Sequence, residues 1–163
     1  REKRAALFSM LDAAGVVRLQ NEYKLLERGQ FSIVLAGADD PNGPFDQKRP
    51  AQLVREIRQA RGKDAYILML SHRNDELDLW ANMGVQTVLC GHGHGGIVRL
   101  PFVGAVFGTH LDLFPDYTAG LYQKGQTSMI VSRGLGGSRK LPLRIGNRPE
   151  IVTVILKTDS GEI

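Results

Sequence analysis

Two runs of strand length, residues 65–70 and 85–90, are each followed at once by histidine, and this repetition constrains the chain more than any other feature. Apolar runs of this length read as strands covered on both faces, as in an α/β sheet. The first leads into Ser71-His72-Arg73 and the second into Gly91-His92-Gly93-His94-Gly95-Gly96. Histidine thus stands at the carboxyl ends of two neighbouring strands, the edge at which open α/β sheets bind ligands. The fold class expected is α/β.

The rest of the chain supplies elements for such a sheet. Residues 2–14 place Ala5, Leu7, Phe8, Leu11 and Ala14 at near-helical spacing, and Gly15 stops the helix. Residues 16–19 are short and β-branched and read as a strand. Residues 22–27 and 31–38 read as a hairpin turning at Arg28-Gly29-Gln30. Residues 39–44 form a loop by composition, in which Asp39 and Asp40 bond nearby backbone N–H groups ahead of Pro41. A helix is expected from Pro50 to Arg61, burying Leu53, Val54 and Ile57 and ending at Gly62. Another is expected to be capped by Asn74 or Asp75 and to run through Met83, with Trp80 packed inward and Gly84 closing it. Residues 97–119 read as irregular but packed down. Residues 120–123 and 127–132 read as a hairpin about Lys124-Gly125, and residues 150–157 as a final strand.

Composition excludes several classes. A length of 163 residues suits one domain with a real core. Hydrophobic residues at 42% and charged residues at 23% argue against disorder. No apolar run reaches the roughly eighteen residues that a membrane-spanning helix needs. The single cysteine, Cys90, allows no internal disulfide and reads as a small core residue. The net charge of +4 is mild and spread out, which suits a phosphorylated ligand and gives no indication of nucleic acid.

Three of the four histidines stand at His72, His92 and His94. Imidazole is a common ligand of zinc, iron and manganese. In an extended segment His92 and His94 point to the same side. The glycines around them, Gly93 and Gly95 included, permit unusual backbone angles, let a substrate approach the chain and can present N–H groups to an anion. His72, His92, His94 and a water would suffice for a mononuclear zinc site, and a non-catalytic binding module is the other alternative. Arg73, Arg99, Arg133 and Arg139 are candidate phosphate contacts, with Arg133 the foremost. His110 carries no motif.

The Gly-His-x-His segment, with Ser71-His72-Arg73 about twenty residues upstream, resembles the signature of the calcineurin-like metallophosphoesterases. Ser132-Arg133-Gly134-Leu135-Gly136 and Arg144-Ile145-Gly146-Asn147-Arg148-Pro149-Glu150 resemble one bacterial branch of that family, whose members are often membrane-anchored or exported. That branch usually has threonine where Gly93 stands and glutamine where Ile97 stands. The resemblance implies a four-layer α/β/β/α sandwich with mixed sheets. It also implies hydrolysis of a phosphomonoester, phosphodiester or pyrophosphate in a small molecule or lipid head group. Two divalent ions (manganese, iron or zinc) would be the cofactors. His72 and His92 would bind one ion and His94 the other, while Arg133, Gly93 and Gly95 would contact substrate.

The family's earlier motifs, Asp-x-His and an Asn-His pair, are not found in the first forty residues. The chain starts at Arg1 inside a basic helical pattern. Residues 1–163 are therefore expected to be the C-terminal half of one catalytic domain, inactive alone and prone to associate with another copy or with the missing half.

Overall fold

The computed structural model describes residues 2–43, 47–109, 111–137, 143–158 and 161–162. A six-stranded mixed sheet dominates it. Its strands are β1 (Glu22–Arg28), β2 (Phe31–Gly37), β3 (Ile67–Leu70), β4 (Thr87–Cys90), β7 (Gly120–Lys124) and β8 (Thr127–Val131), in the order β1-β2-β3-β4-β8-β7. β2, β3, β4 and β8 run parallel, and β1 and β7 flank them antiparallel. This is the α/β class expected.

Both outer pairs are tight hairpins. Arg28 faces Phe31 across a turn at Gly29, whose φ of 59° suits glycine. Lys124 faces Thr127 across a turn at Gly125, with φ 58°.

The strands' period of two sorts the core to one face. Val34, Ala36, Ile67, Met69, Val88, Cys90, Met129 and Val131 point to that face and form one cluster with the helices. Helix α2 (Pro50–Arg61) contributes Leu53, Val54 and Ile57, and α3 (Leu77–Asn82) contributes Leu77 and Trp80. Burying Trp80 completely is worth about 3–5 kcal/mol against alanine. α2 starts with Pro50 at its first turn and ends at Gly62, φ 89°, as expected.

The opposite face is apolar and partly open. Leu70 is 38% exposed and Leu121 61%, while Leu35, Leu89 and Ile130 are half-buried. Two segments expected as strands lie across this face instead. Residues 16–19 pair with no strand among the described residues; Leu19 crosses directly above Gly37, where any side chain would strike the Leu19 carbonyl. Within residues 150–157, only Lys157 joins a strand, the two-residue β9 (Lys157–Thr158) paired with β10 (Gly161–Glu162). Ile155 and Leu156 border a groove on the sheet with Ile33, Tyr66 and Ile130, while Ile151 is 81% exposed. Apolar residues there cover the sheet face only in part and form no ladder among the described residues.

Other elements differ in detail. α1 (Glu2–Ala13) forms as expected but exposes Leu7 and Met10. α3 begins after Glu76, later than an Asn74 or Asp75 cap would place it. Residues 97–119 contain an unexpected ribbon, β5 (Val98–Leu100) and β6 (Gly104–Phe107). Among the described residues, no helix is long and apolar enough to cross a membrane.

Candidate active site

Because β2, β3, β4 and β8 are parallel neighbours, their carboxyl ends share one edge. Along it stand Asp39 and Asp40 after β2, His72 and Arg73 after β3, His92 and His94 after β4, and Arg133 after β8. Asn21, at the start of antiparallel β1, joins the same edge. It is buried, donates from Nδ2 to Asp39 Oδ2 at 3.1 Å, and accepts the Asp39 N–H at 3.0 Å.

His72 and His92 are brought together, with ring centroids 4.3 Å apart. Asp40 joins them, its Oδ2 lying 3.8 Å from His72 Nε2 and its Oδ1 3.4 Å from Arg73 Nη2. The expected turn chemistry is also present, since the Asn42 N–H donates to Asp40 Oδ1 at 2.8 Å. That backbone bond, followed by the charges of Arg73 and His72, holds the Asp40 carboxyl below the usual carboxylate range despite partial desolvation. Glu76 lies nearby, and its burial pushes its carboxyl up.

His92 and His94 sit on a short loop with unusual backbone angles: φ is 69° at His92 and 50° at His94. Side chains in this region cost about 1 kcal/mol each, so something must hold them there. The Gly93 N–H donates to the Gly91 carbonyl at 2.9 Å and the Gly96 N–H to the Gly93 carbonyl at 2.8 Å. Arg99 Nη1 donates to the Gly95 carbonyl at 2.9 Å. Asn147 Nδ2 donates to the carbonyls of His94 and Gly96, at 2.8 and 2.5 Å. Space at Gly95 is filled by Arg133 and Asn147, so a side chain there would collide with both.

Arg133 is engaged by Glu150, which accepts from its backbone N–H at 2.9 Å and from Nε at 2.7 Å. This hydrogen bonding holds the Glu150 carboxyl below its ordinary value. Arg144 donates to the Arg133 carbonyl at 2.8 Å. Arg99 is likewise committed to backbone and to Thr118. Arg139 and His110 lie outside the described residues. Cys90 is buried, and desolvation pushes its thiol up to about 12, which leaves it inert at neutral pH.

A cavity of about 700 Å³ opens beside His92. Arg73, Asn74 and Gly93 line one side, and Thr109, Asp112 and Tyr117 the other. Asn74 ties the two walls by donating to the Tyr117 carbonyl at 2.8 Å. A side chain at Gly93 would press on the Asn74 amide, so glycine keeps this contact open.

The donor types at this edge, imidazole and carboxylate, suit a divalent metal. Their number does not: among the described residues no three His, Cys, Asp or Glu side chains gather closely enough to hold one. Among the described residues, the structure does not close the three histidines into a ligand set.

In the sequence, Asn147 stands only within the family-like tail with no role of its own, and Asp39 and Asp40, carboxylates that could serve beside the histidines, read as turn residues. The signal for Asn147 was an asparagine inside an otherwise glycine- and arginine-rich stretch, which on its own reads as loop.

The edge geometry describes an α/β protein with histidines gathered at the carboxyl ends of its parallel strands. Comparison with known proteins then narrows the class. The chain is 39% identical over 153 residues to the uncharacterized metallophosphoesterase YkuE of Bacillus subtilis, covering 92% of this chain and 50% of that protein. It is 28% identical over 155 residues to the phosphodiesterase YaeI of Escherichia coli, covering 95% of this chain and 53% of that protein. A third relative, an uncharacterized metallophosphoesterase of Aquifex aeolicus, is 31% identical over 126 residues, covering 77% of this chain and 46% of that protein. These names support the metallophosphoesterase family. The chain spans about half the length of the curated relatives it matches. No family model matches it, and no solved structure matches it.

Proposed function

We propose that this chain carries part of the active site of a metal-dependent phosphoester hydrolase. The observation that supports this most is the shared edge: four parallel strands end in Asp40, His72, His92 and Arg133, beside a polar cavity. His72, His92 and His94 are the metal ligands this chain supplies to a two-metal centre. Manganese, iron or zinc suits the imidazole and carboxylate donors. Bound there, the ions would supply an activated water and offset phosphoryl charge. The remaining ligands come from outside residues 1–163, which make up the C-terminal half of one catalytic domain and turn over nothing alone.

The chain's own groups have distinct tasks. Arg73 lines the cavity beside His92 and meets an incoming phosphate; its charge is at present shared with Asp40. Arg133 reaches phosphate only by exchanging Glu150 for it, because Glu150 occupies its guanidinium. Gly93 leaves room for substrate next to Asn74. The substrate is a phosphorylated small molecule or lipid head group.

The open sheet face is where the second sheet of a four-layer sandwich packs. Without that layer the chain covers the face with a second copy. A concentration-independent monomer on size-exclusion chromatography would contradict this.

The test is hydrolysis of bis(p-nitrophenyl) phosphate and p-nitrophenyl phosphate by the full-length gene product, stripped of metal and reloaded with Mn2+. Residues 1–163 are assayed alongside. Turnover is expected in the reloaded long form and lost in His92→Ala. Turnover by residues 1–163 alone refutes the split site, and no turnover in either form refutes the hydrolase.

A further inference from the structure

We propose that Asn147 is the positioning residue of the histidine loop. It is 3% exposed, and its side-chain N–H groups bridge two carbonyls that flank Gly95. Two acceptors fix which way the amide points, since Oδ1 turned toward them would be repelled. The loop's two left-handed histidines, His92 and His94, bear a conformational cost that an unrestrained chain would relieve, whereas Gly95 and Gly96 adopt positive φ freely. Asn147 closes that escape by tying His94 and Gly96 to one rigid amide. It sits 53 residues along the chain from His94.

The strap that carries Asn147 is itself anchored at several points. The Ile145 N–H donates to the Ile97 carbonyl at 2.8 Å, and the Arg99 N–H donates to the Ile145 carbonyl at 2.9 Å. Gly146 follows with φ 63°, pressed against the Arg99 carbonyl so that no side chain fits. Glu150 closes the strap on Arg133. The Asn147 amide is thus held on both sides before it reaches the loop, as a group that orients a ligand loop must be.

The effect on metal rests on the phosphoesterase reading; the effect on loop geometry does not. Asn147→Asp keeps the shape and removes the donors. In the full-length gene product, the amides of Gly93 and Gly96 are expected to exchange hydrogen at least tenfold faster in this variant, with α2 unchanged. Mn2+ affinity is expected to fall about ten- to a hundredfold. Asn147→Ser, whose single donor cannot span both carbonyls, should fall between the two and serves if the aspartate variant does not fold. Loop exchange and Mn2+ affinity within twofold of wild type in both variants would overturn the assignment. A wild type that binds no Mn2+ would sink the hydrolase reading, and loop exchange would then decide on Asn147 alone.

Discussion

The loops after β3 and β4 occupy equivalent places at the sheet edge and are held in opposite ways. The β3 loop is tied at its backbone, where the Ser71 N–H donates to the Leu89 carbonyl at 3.0 Å and the Gly91 N–H to the His72 carbonyl at 3.3 Å, and by Arg73 and Asn74, which reach Asp40 and the Tyr117 carbonyl. The His72 side chain is 53% exposed and leans on Asp40 at 3.8 Å. The β4 loop is bound by Asn147, by Arg99 and by its own turns, with His92 and His94 half-buried. The difference teaches that the His92–His94 loop is held by the buried Asn147 from a distant segment and by Arg99, while the His72 side chain is held mainly by a partly exposed carboxylate.

Gly95→Val attacks the clamped loop hardest, because it adds bulk where Arg133 and Asn147 meet and imposes φ 76° on a β-branched residue. A loss of about 3 kcal/mol or more is expected in urea unfolding, together with all phosphoester turnover. Asn21→Leu attacks the other side. It strands Asp39 at the edge and removes two hydrogen bonds, for about 2 kcal/mol, and it should weaken metal binding less than Asn147→Asp does.

Much of this contrast was invisible in the sequence, for physical reasons. α2 was legible because Pro50, Gly62 and the spacing of Leu53, Val54 and Ile57 all agree. The two hairpins were legible from short turns between patterned strands. Strand ends carrying histidine were legible as one edge because β3 and β4 are parallel neighbours. The β5–β6 ribbon was not legible, because its strands of three and four residues carry no period to read. Residues 16–19 and 150–157 misled because their apolar residues pair with no neighbouring strand among the described residues: Val17, Leu19, Ile155 and Leu156 border the open sheet face, and Ile151 stays exposed. Asn147 was illegible because its worth comes from a contact 51 and 53 residues away.

A smaller effect sharpens the comparison through pH. Glu150 is held below its usual value of 4.5, so its contribution is fully present above that pH and is lost as pH falls through the lower folded value. The protection factors of residues 91–96, exchange rates taken relative to the intrinsic rate at each pH, should therefore fall in acid below pH 4.5 in wild type. Glu150→Gln should lose about 1 kcal/mol at neutral pH and show a flatter acid response. Asp40→Asn is expected to have the least effect on stability, about 0.5 kcal/mol by urea unfolding, because its partners are partly exposed.

Metal stoichiometry tests the proposed two-metal centre most directly. Elemental analysis of the full-length gene product should find two divalent ions per chain, fewer in His72→Ala and His92→Ala, with both variants folded by circular dichroism. Unchanged metal content in those two variants would contradict the ligand roles proposed for His72 and His92.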